Sequence, residues 1–163
     1  MDRRSILIVD TGPIWELVLY GAINRLGFAR LDRNLTHFVT PEAYENCGAF
    51  LSAFRKKITS ASVVAELYHQ IRKTEPRGYT QLWKQVYEEF KNMGMDEDVV
   101  KLLAMDPDLV ARYGPIDVSL LELARRNLNQ APVILTLDRQ LHAECKKAQI
   151  SSALLIEVCN PST

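Results

Sequence analysis

Four acidic residues stand where this sequence could do chemistry: Asp10, Glu66, Asp117 and Asp138. Asp10 ends the apolar run Ile6-Leu7-Ile8-Val9 and is followed by Thr11-Gly12-Pro13. Asp138 lies just beyond a second such run, Pro132-Val133-Ile134-Leu135-Thr136. Unalternating, β-branched runs suit strands buried on both faces of a parallel sheet, so each aspartate should emerge at a strand's carboxyl end. Glu66 lies near the start of an apolar-striped helix over 63–71, and Asp117 in the first turn of a helix opened by Gly114-Pro115. In an open parallel sheet, strand carboxyl ends and the starts of the following helices share one edge, where ligands bind. The four acids can therefore meet although far apart in the chain. Gathered there without Lys or Arg, they would repel one another by roughly several kcal/mol. They would then either hold protons at raised pKa or bind a divalent cation. Oxygen-only ligands select a hard ion, Mg²⁺ or Mn²⁺, and no His/Cys set suited to zinc is present. Each acid also has a plainer role open to it, as a cap or a dipole partner at a helix start.

The elements that must position these acids follow in order. After the first strand, Ile14–Tyr20 reads as a buried helix ending near Gly21. Residues 23–39 read as a loop with a short extended piece at Leu35–Val39. Thr40-Pro41-Glu42 starts a helix, with Thr40 as cap and Pro41 in the first turn. Ala43, Cys47, Phe50, Leu51 and Phe54 form its apolar stripe. Arg55-Lys56-Lys57-Ile58-Thr59-Ser60 is a basic cluster leading into a short strand, after which Ser60 or Ser62 can cap the helix that carries Glu66. Pro76-Arg77-Gly78 breaks the chain before a helix over Tyr79–Asn92. Val99–Leu103 is helix or strand, and Asp106 caps a further helix start. The acids at 96, 97, 98, 106 and 108 read as helix-start and surface charge. Arg139–Ala148 reads as a helix, and Ala153–Val158 as the last strand. This alternation implies a single α/β domain over 1–163, with three α/β/α layers around a central parallel sheet.

With 163 residues the chain can bury a core without staples. Lys and Arg number 20 and so do Asp and Glu, so any nucleic-acid contact must come from local patches rather than a global basic field. Cys47, Cys145 and Cys159 are widely spaced and show no metal or redox pattern. They read as apolar filler, and the expected setting is a reducing cytoplasm. No apolar run is long enough to span a membrane. The apolar helices at 14–20, 43–54 and 79–90 exceed what one small sheet needs, which leaves room for a homodimer or a partner groove.

Taken together, Ile-Val-Asp10-Thr-Gly-Pro, Ile-Thr-Ser-Ala-Ser-Val-Val-Ala-Glu66-Leu, Gly-Pro-Ile-Asp117-Val-Ser-Leu-Leu-Glu-Leu-Ala and Val-Ile-Leu-Thr136-Leu-Asp138 resemble the PIN domain. That family comprises metal-dependent ribonucleases, including toxins of bacterial toxin–antitoxin pairs. The resemblance spans nearly the whole chain and keeps all four acids in family order. It implies that Asp10, Glu66, Asp117 and Asp138 hold Mg²⁺ or Mn²⁺ for phosphodiester hydrolysis in RNA. Thr136, in the family's Thr-x-Asp pattern, and Thr11 would support the acids. A small antitoxin is an implied partner. Two departures stand out: an extra helix at 40–54 within a long 23–57 segment, and Val118 where the family often has alanine. An RNA substrate would also need cations, for which Arg139, Arg55, Lys56 and Arg125 are candidates. A PIN-fold binding module with little catalysis is the alternative. A receiver-type or phosphohydrolase domain would place a second acid close after the first, where this chain has Thr-Gly-Pro.

Overall fold

The computed structural model describes residues 5–26, 40–74 and 79–160. Five strands form one all-parallel sheet: β1 (Ile6–Val9), β2 (Lys56–Ser60), β3 (Met95–Asp98), β4 (Val133–Thr136) and β5 (Ser151–Leu154). Their spatial order is β3-β2-β1-β4-β5. The order reverses at β1, which lies between β2 and β4, so the chain winds to both sides of its first strand. Helices α1 (Thr11–Leu26), α2 (Pro41–Ser52), α3 (Ala61–Thr74), α4 (Tyr79–Met93), α5 (Pro107–Tyr113), α6 (Pro115–Arg126), α7 (Arg139–Lys147) and α8 (Leu155–Cys159) flank it. The three-layer α/β/α architecture read from the sequence is the one observed.

The core explains why these segments take these forms. All four residues of β1 are buried, as a central strand covered on both faces requires. On α3, Val63, Leu67 and Ile71 are buried at helical spacing, and on α6 so are Leu120, Leu121, Leu123 and Ala124. Local signals start the helices where expected. The Thr40 hydroxyl accepts from the Ala43 amide, and the Asp106 carboxylate from the amides of Asp108 and Leu109. The Ser60 hydroxyl accepts from the Val63 amide, choosing Ser60 over Ser62 as the cap of α3.

Four expectations are corrected. First, α1 does not stop near Gly21 but continues to Leu26. Gly21 sits inside the helix because a Cβ there would meet the Glu89 carboxyl carbon and oxygen at 3.1 Å. Glycine's missing side chain lets α4 approach closely, at the usual helix-propensity cost. The extended piece expected at Leu35–Val39 and the break at Pro76-Arg77-Gly78 lie outside the described residues. Second, the strand near residue 100 falls earlier, on Met95–Asp98, with only a 3₁₀ turn at Leu102–Ala104. Acidic residues are tolerated in β3 because it is the edge of the sheet and its residues 96–98 face solvent. Third, the last apolar run splits: β5 ends at Leu154 and α8 begins at Leu155. Leu155 and Cys159, four apart, are buried, while Ile156 and Glu157 between them are exposed, which is a helical stripe.

Fourth, Cys47 and Cys159, 112 positions apart in sequence, are joined as a disulfide, with Cα atoms 5.4 Å apart. The sequence reading sought short metal or redox spacings, but here the fold sets the pairing by laying α8 on α2. The Asn46 side-chain amide also donates to the Cys159 carbonyl at 3.0 Å. Cys145 does act as buried filler, its thiol pushed up to about 11 mainly by burial. Among the described residues no helix is long and apolar enough to cross a membrane. Closing so long a loop should stabilise the fold by about 2–4 kcal/mol. Reductant is therefore expected to lower the urea midpoint of the wild type and leave that of Cys47→Ala/Cys159→Ala unmoved. Equal wild-type midpoints with and without dithiothreitol would show that the bridge contributes nothing.

Candidate functional site

The parallel sheet delivers all four acids to its carboxyl edge. Asp10 follows the last residue of β1 and Asp138 lies two residues beyond β4, strands that are neighbours in register. Glu66 belongs to α3, two residues deeper than the sequence suggested because the helix starts at Ala61, and Asp117 to the first turn of α6. Gly114, with φ of 87°, makes the bend between α5 and α6, and Pro115 begins α6, fixing where Asp117 points its helix start. A pocket of about 340 Å³ opens here, lined by Asp10, Thr11, Glu66, Gln70, Tyr113 and Asp117.

Hydroxyl groups hold the acids in place. Thr136 Oγ1 donates to Asp10 Oδ2 at 2.6 Å and itself accepts from the Asp138 amide at 2.9 Å. Thr11 Oγ1 donates to Glu66 Oε2, and the Thr11 amide to Asp10 Oδ1 at 2.6 Å. Asp138 Oδ1 accepts from the amides of Gln140 and Leu141 at 2.5 and 3.3 Å, so it also caps α7. The capping and site readings of Asp138 are thus compatible: one oxygen is used and the other is left for the edge. Behind the acids, the Ser119 hydroxyl donates to Ser60 Oγ at 2.8 Å, tying α6 to the end of β2.

The electrostatics show real convergence. Burial is the largest cause that raises the Asp10 carboxyl above its ordinary range. The Thr136 and Thr11 hydrogen bonds oppose this, and the charges of Glu66 and Asp138 add to it. Asp117 is pushed up to about 7, first by burial and then by the charges of Asp10, Asp138 and Glu66. Among the described residues, the ion pairs are Arg125–Glu122 and Lys147–Glu144, neither of which involves these acids. Also among the described residues, no three His, Cys, Asp or Glu side chains are gathered as a ready-made coordination shell. The reason is visible in the hydrogen bonds: Glu66 is turned to Thr11, Asp10 to Thr136 and Asp138 to its helix. The donor set still suits Mg²⁺, which keeps several waters and takes only one or two carboxylates.

The cationic candidates separate. Arg139 begins α7 directly after Asp138 and lies exposed at the acid edge. Lys56 pairs in register with Ile6, the first residue of β1, and so sits about 13 Å along the strands from Asp10. Arg55 and Lys56 line a separate pocket with Ser5, Asn129 and Gln130 at the opposite edge of the sheet. Arg125 lies in the last turn of α6, about 12 Å along the helix from Asp117, and pairs with Glu122. These three are not brought to the acids, because strand starts and helix ends lie at the far edge. His142 Nδ1 is hydrogen-bonded to the Ser152 hydroxyl at 2.9 Å.

Two pocket residues escaped the sequence reading. Gln70 follows Glu66 by four positions on α3 and lines the same pocket, a spacing that places both on one helix face. Tyr113 gave no such signal. It ends α5, its phenol donates to Glu144 Oε2 at 2.7 Å, and Glu144 is bridged to Lys147, so the ring is held at the pocket.

No protein-family model matches the sequence, and no curated protein matches it. Among solved structures, it is similar to a domain of a functionally unknown protein from Methanocaldococcus jannaschii DSM 2661. The TM-score is 0.47 and the identity 16%, covering 91% of this chain and 89% of that chain.

The raised carboxyls make a signed prediction. Folding keeps a proton on Asp117 between its ordinary value of 3.8 and about 7, so the group favours the folded state at acid pH and loses that contribution as pH rises through this window. Asp117→Asn should therefore gain urea resistance relative to wild type at pH 8, with the difference shrinking toward pH 4. A variant less stable than wild type at pH 8 would mean that the carboxylate is compensated by something else.

Proposed function

We propose that this chain is a PIN-like, divalent-metal-dependent endoribonuclease. One observation carries the reading: Asp10, Glu66, Asp117 and Asp138 come from four separate segments, face one sheet edge, and the charges of Glu66 and Asp138 help raise the proton affinity of Asp10 and Asp117, with no ion pair to any of the four among the described residues. A structural role does not require that arrangement, since capping or packing would be served by one acid with its own partner. The ordered motifs and the Thr136-x-Asp138 pair add the family resemblance.

In this reading Asp10, Glu66, Asp117 and Asp138 hold one or two Mg²⁺ or Mn²⁺ ions, directly or through water. When bound, such an ion lowers the pKa of a coordinated water and offsets the phosphate charge. The chain's own residues do the rest. Thr136 orients the Asp10 carboxylate and, through the Asp138 amide, fixes the turn after β4. Thr11 holds Glu66 against the start of α1. Burial keeps Asp10 and Asp117 in a medium where their charges act strongly on whatever enters. Arg139 is the cation placed to meet a phosphate at this edge. A role as the toxin of a toxin–antitoxin pair, with a small antitoxin and a homodimeric state, belongs to the same proposal. Growth arrest on expression without a partner is its simplest sign.

A second reading, an RNA- or protein-binding module without turnover, is favoured by one observation: the carboxylates engage threonine hydroxyls and helix amides rather than converging as a ready-made shell. Cleavage separates the two. Purified wild type should cut single-stranded RNA with Mn²⁺ or Mg²⁺ and stop with chelator, and Asp10→Asn should reduce cutting to background with unchanged circular dichroism. Undiminished Mn²⁺-dependent cleavage by Asp10→Asn would rule out the assignment of the acids, and no cleavage by wild type would leave the binding module.

Removing the support rather than the ligand gives a graded result. Thr136→Val should weaken Mn²⁺ binding about 10–100-fold, the usual cost of losing an outer-shell hydrogen bond. Calorimetric titration at pH 8 reads this directly, and an unchanged affinity would detach Thr136 from the site.

A further inference from the structure

We propose that the free edge of β3, with the aromatic cavity beside it, is a docking site for a basic, extended segment of another protein, which adds to the sheet as a sixth strand. This surface is separate from the acid pocket. In the described residues β3 pairs only with β2, so its other side ends the sheet. Beside it lies a cavity of about 160 Å³ lined by Trp83, Tyr87 and Phe90 of α4 and by Met95, Asp96 and Glu97 of β3. Trp83 is fixed there by an edge-on contact with Tyr68, ring centroids 5.1 Å apart. Tyr87 is 63% exposed, a large ring left open to solvent beside this cavity. Directly after the strand, Val99, Leu102 and Leu103 are exposed as well.

Charge selects the occupant. Asp96, Glu97 and Asp98 are all exposed along the edge. A second copy pairing through the same edge would set these acids against themselves, which is destabilising across strands. RNA would bring phosphates to the same carboxylates. A peptide alternating Lys or Arg with apolar residues satisfies every feature. Its backbone completes the open ladder, an apolar side chain enters the aromatic cavity on the face that carries Met95 and Glu97, and its cations face Asp96 and Asp98 on the other.

The test uses the full chain, ¹⁵N-labelled, and a short synthetic peptide alternating lysine and leucine, with an alternating glutamate and leucine peptide as control. Binding of the basic peptide should shift the amides of β3 and the Trp83 indole, and should weaken as salt rises. Asp96→Lys/Glu97→Lys, at exposed positions, should lower affinity by at least about tenfold, while Asp10→Asn should bind as wild type does. The proposal is overturned if the shifts map to the Asp10 and Asp117 pocket, if the acidic control binds equally, or if neither peptide shifts β3. It is equally overturned if sedimentation shows a self-associated chain that Tyr87→Glu converts to monomer, since a second copy would then be the occupant.

Discussion

Negative charge held at one edge of a parallel sheet, paired with no side-chain cation among the described residues, is the constraint on which this structure turns. Parallel strands all end on the same side, so any acid at a strand's carboxyl end is delivered there. The fold offsets the resulting repulsion with dipoles rather than with Lys or Arg. Asp138 accepts two amides at the start of α7, Asp10 accepts the first amide of α1, and Asp117 sits in the first turn of α6. Each helix start is worth about 0.3–1 kcal/mol to a nearby anion. That falls short of cancelling burial and mutual repulsion, and both Asp10 and Asp117 remain raised.

The hydroxyls at this edge explain how the acids stay apart yet close. A hydroxyl orients a carboxylate without neutralising it, whereas a guanidinium would do both. Thr136 spans neighbouring strands to reach Asp10, 126 residues earlier in the chain, and Thr11 reaches across to α3. The Thr59 hydroxyl donates to the Val9 carbonyl, locking the ends of β1 and β2 together just beneath Asp10. Ser60 and Ser119 fasten the next layer. Packing alone would favour apolar residues at these buried positions. Buried hydroxyls with satisfied partners cost little and leave the electrostatic character of the edge intact.

Much of this was legible in the sequence because it rests on local rules. Unalternating β-branched runs marked β1 and β4, and Thr40, Ser60, Asp106 and Pro115 marked helix starts. Strand and helix order then fixed which edge the acids shared. What was not legible depends on long-range placement. Periodicity cannot distinguish strand from helix in a run as short as Ala153–Val158, and the chain uses both. The pairing of Cys47 with Cys159 follows from α8 lying on α2, which no spacing encodes. Arg55 and Lys56 read as substrate contacts because they form a local basic cluster in a chain with no global basic field. A strand's length separates its start from its end, and that distance removes them from the acids.

The same geometry shows what a neutral net charge conceals. Helices that start at the acid edge must end at the opposite one, and their last turns carry the cations: Arg72 and Lys73 on α3, Arg125 and Arg126 on α6, Lys146 and Lys147 on α7. Arg55 and Lys56 begin β2 on that side too. These helix-end cations complement each helix dipole, while the four acids of the site lie at the other edge. In the proposed reading, RNA entering the pocket would meet Arg139 but also the four carboxylates of the edge. A hard dication held by these carboxylates would, in the proposed reading, offset part of the pocket's negative charge and of the phosphate's. In that reading, metal occupancy would decide whether RNA binds.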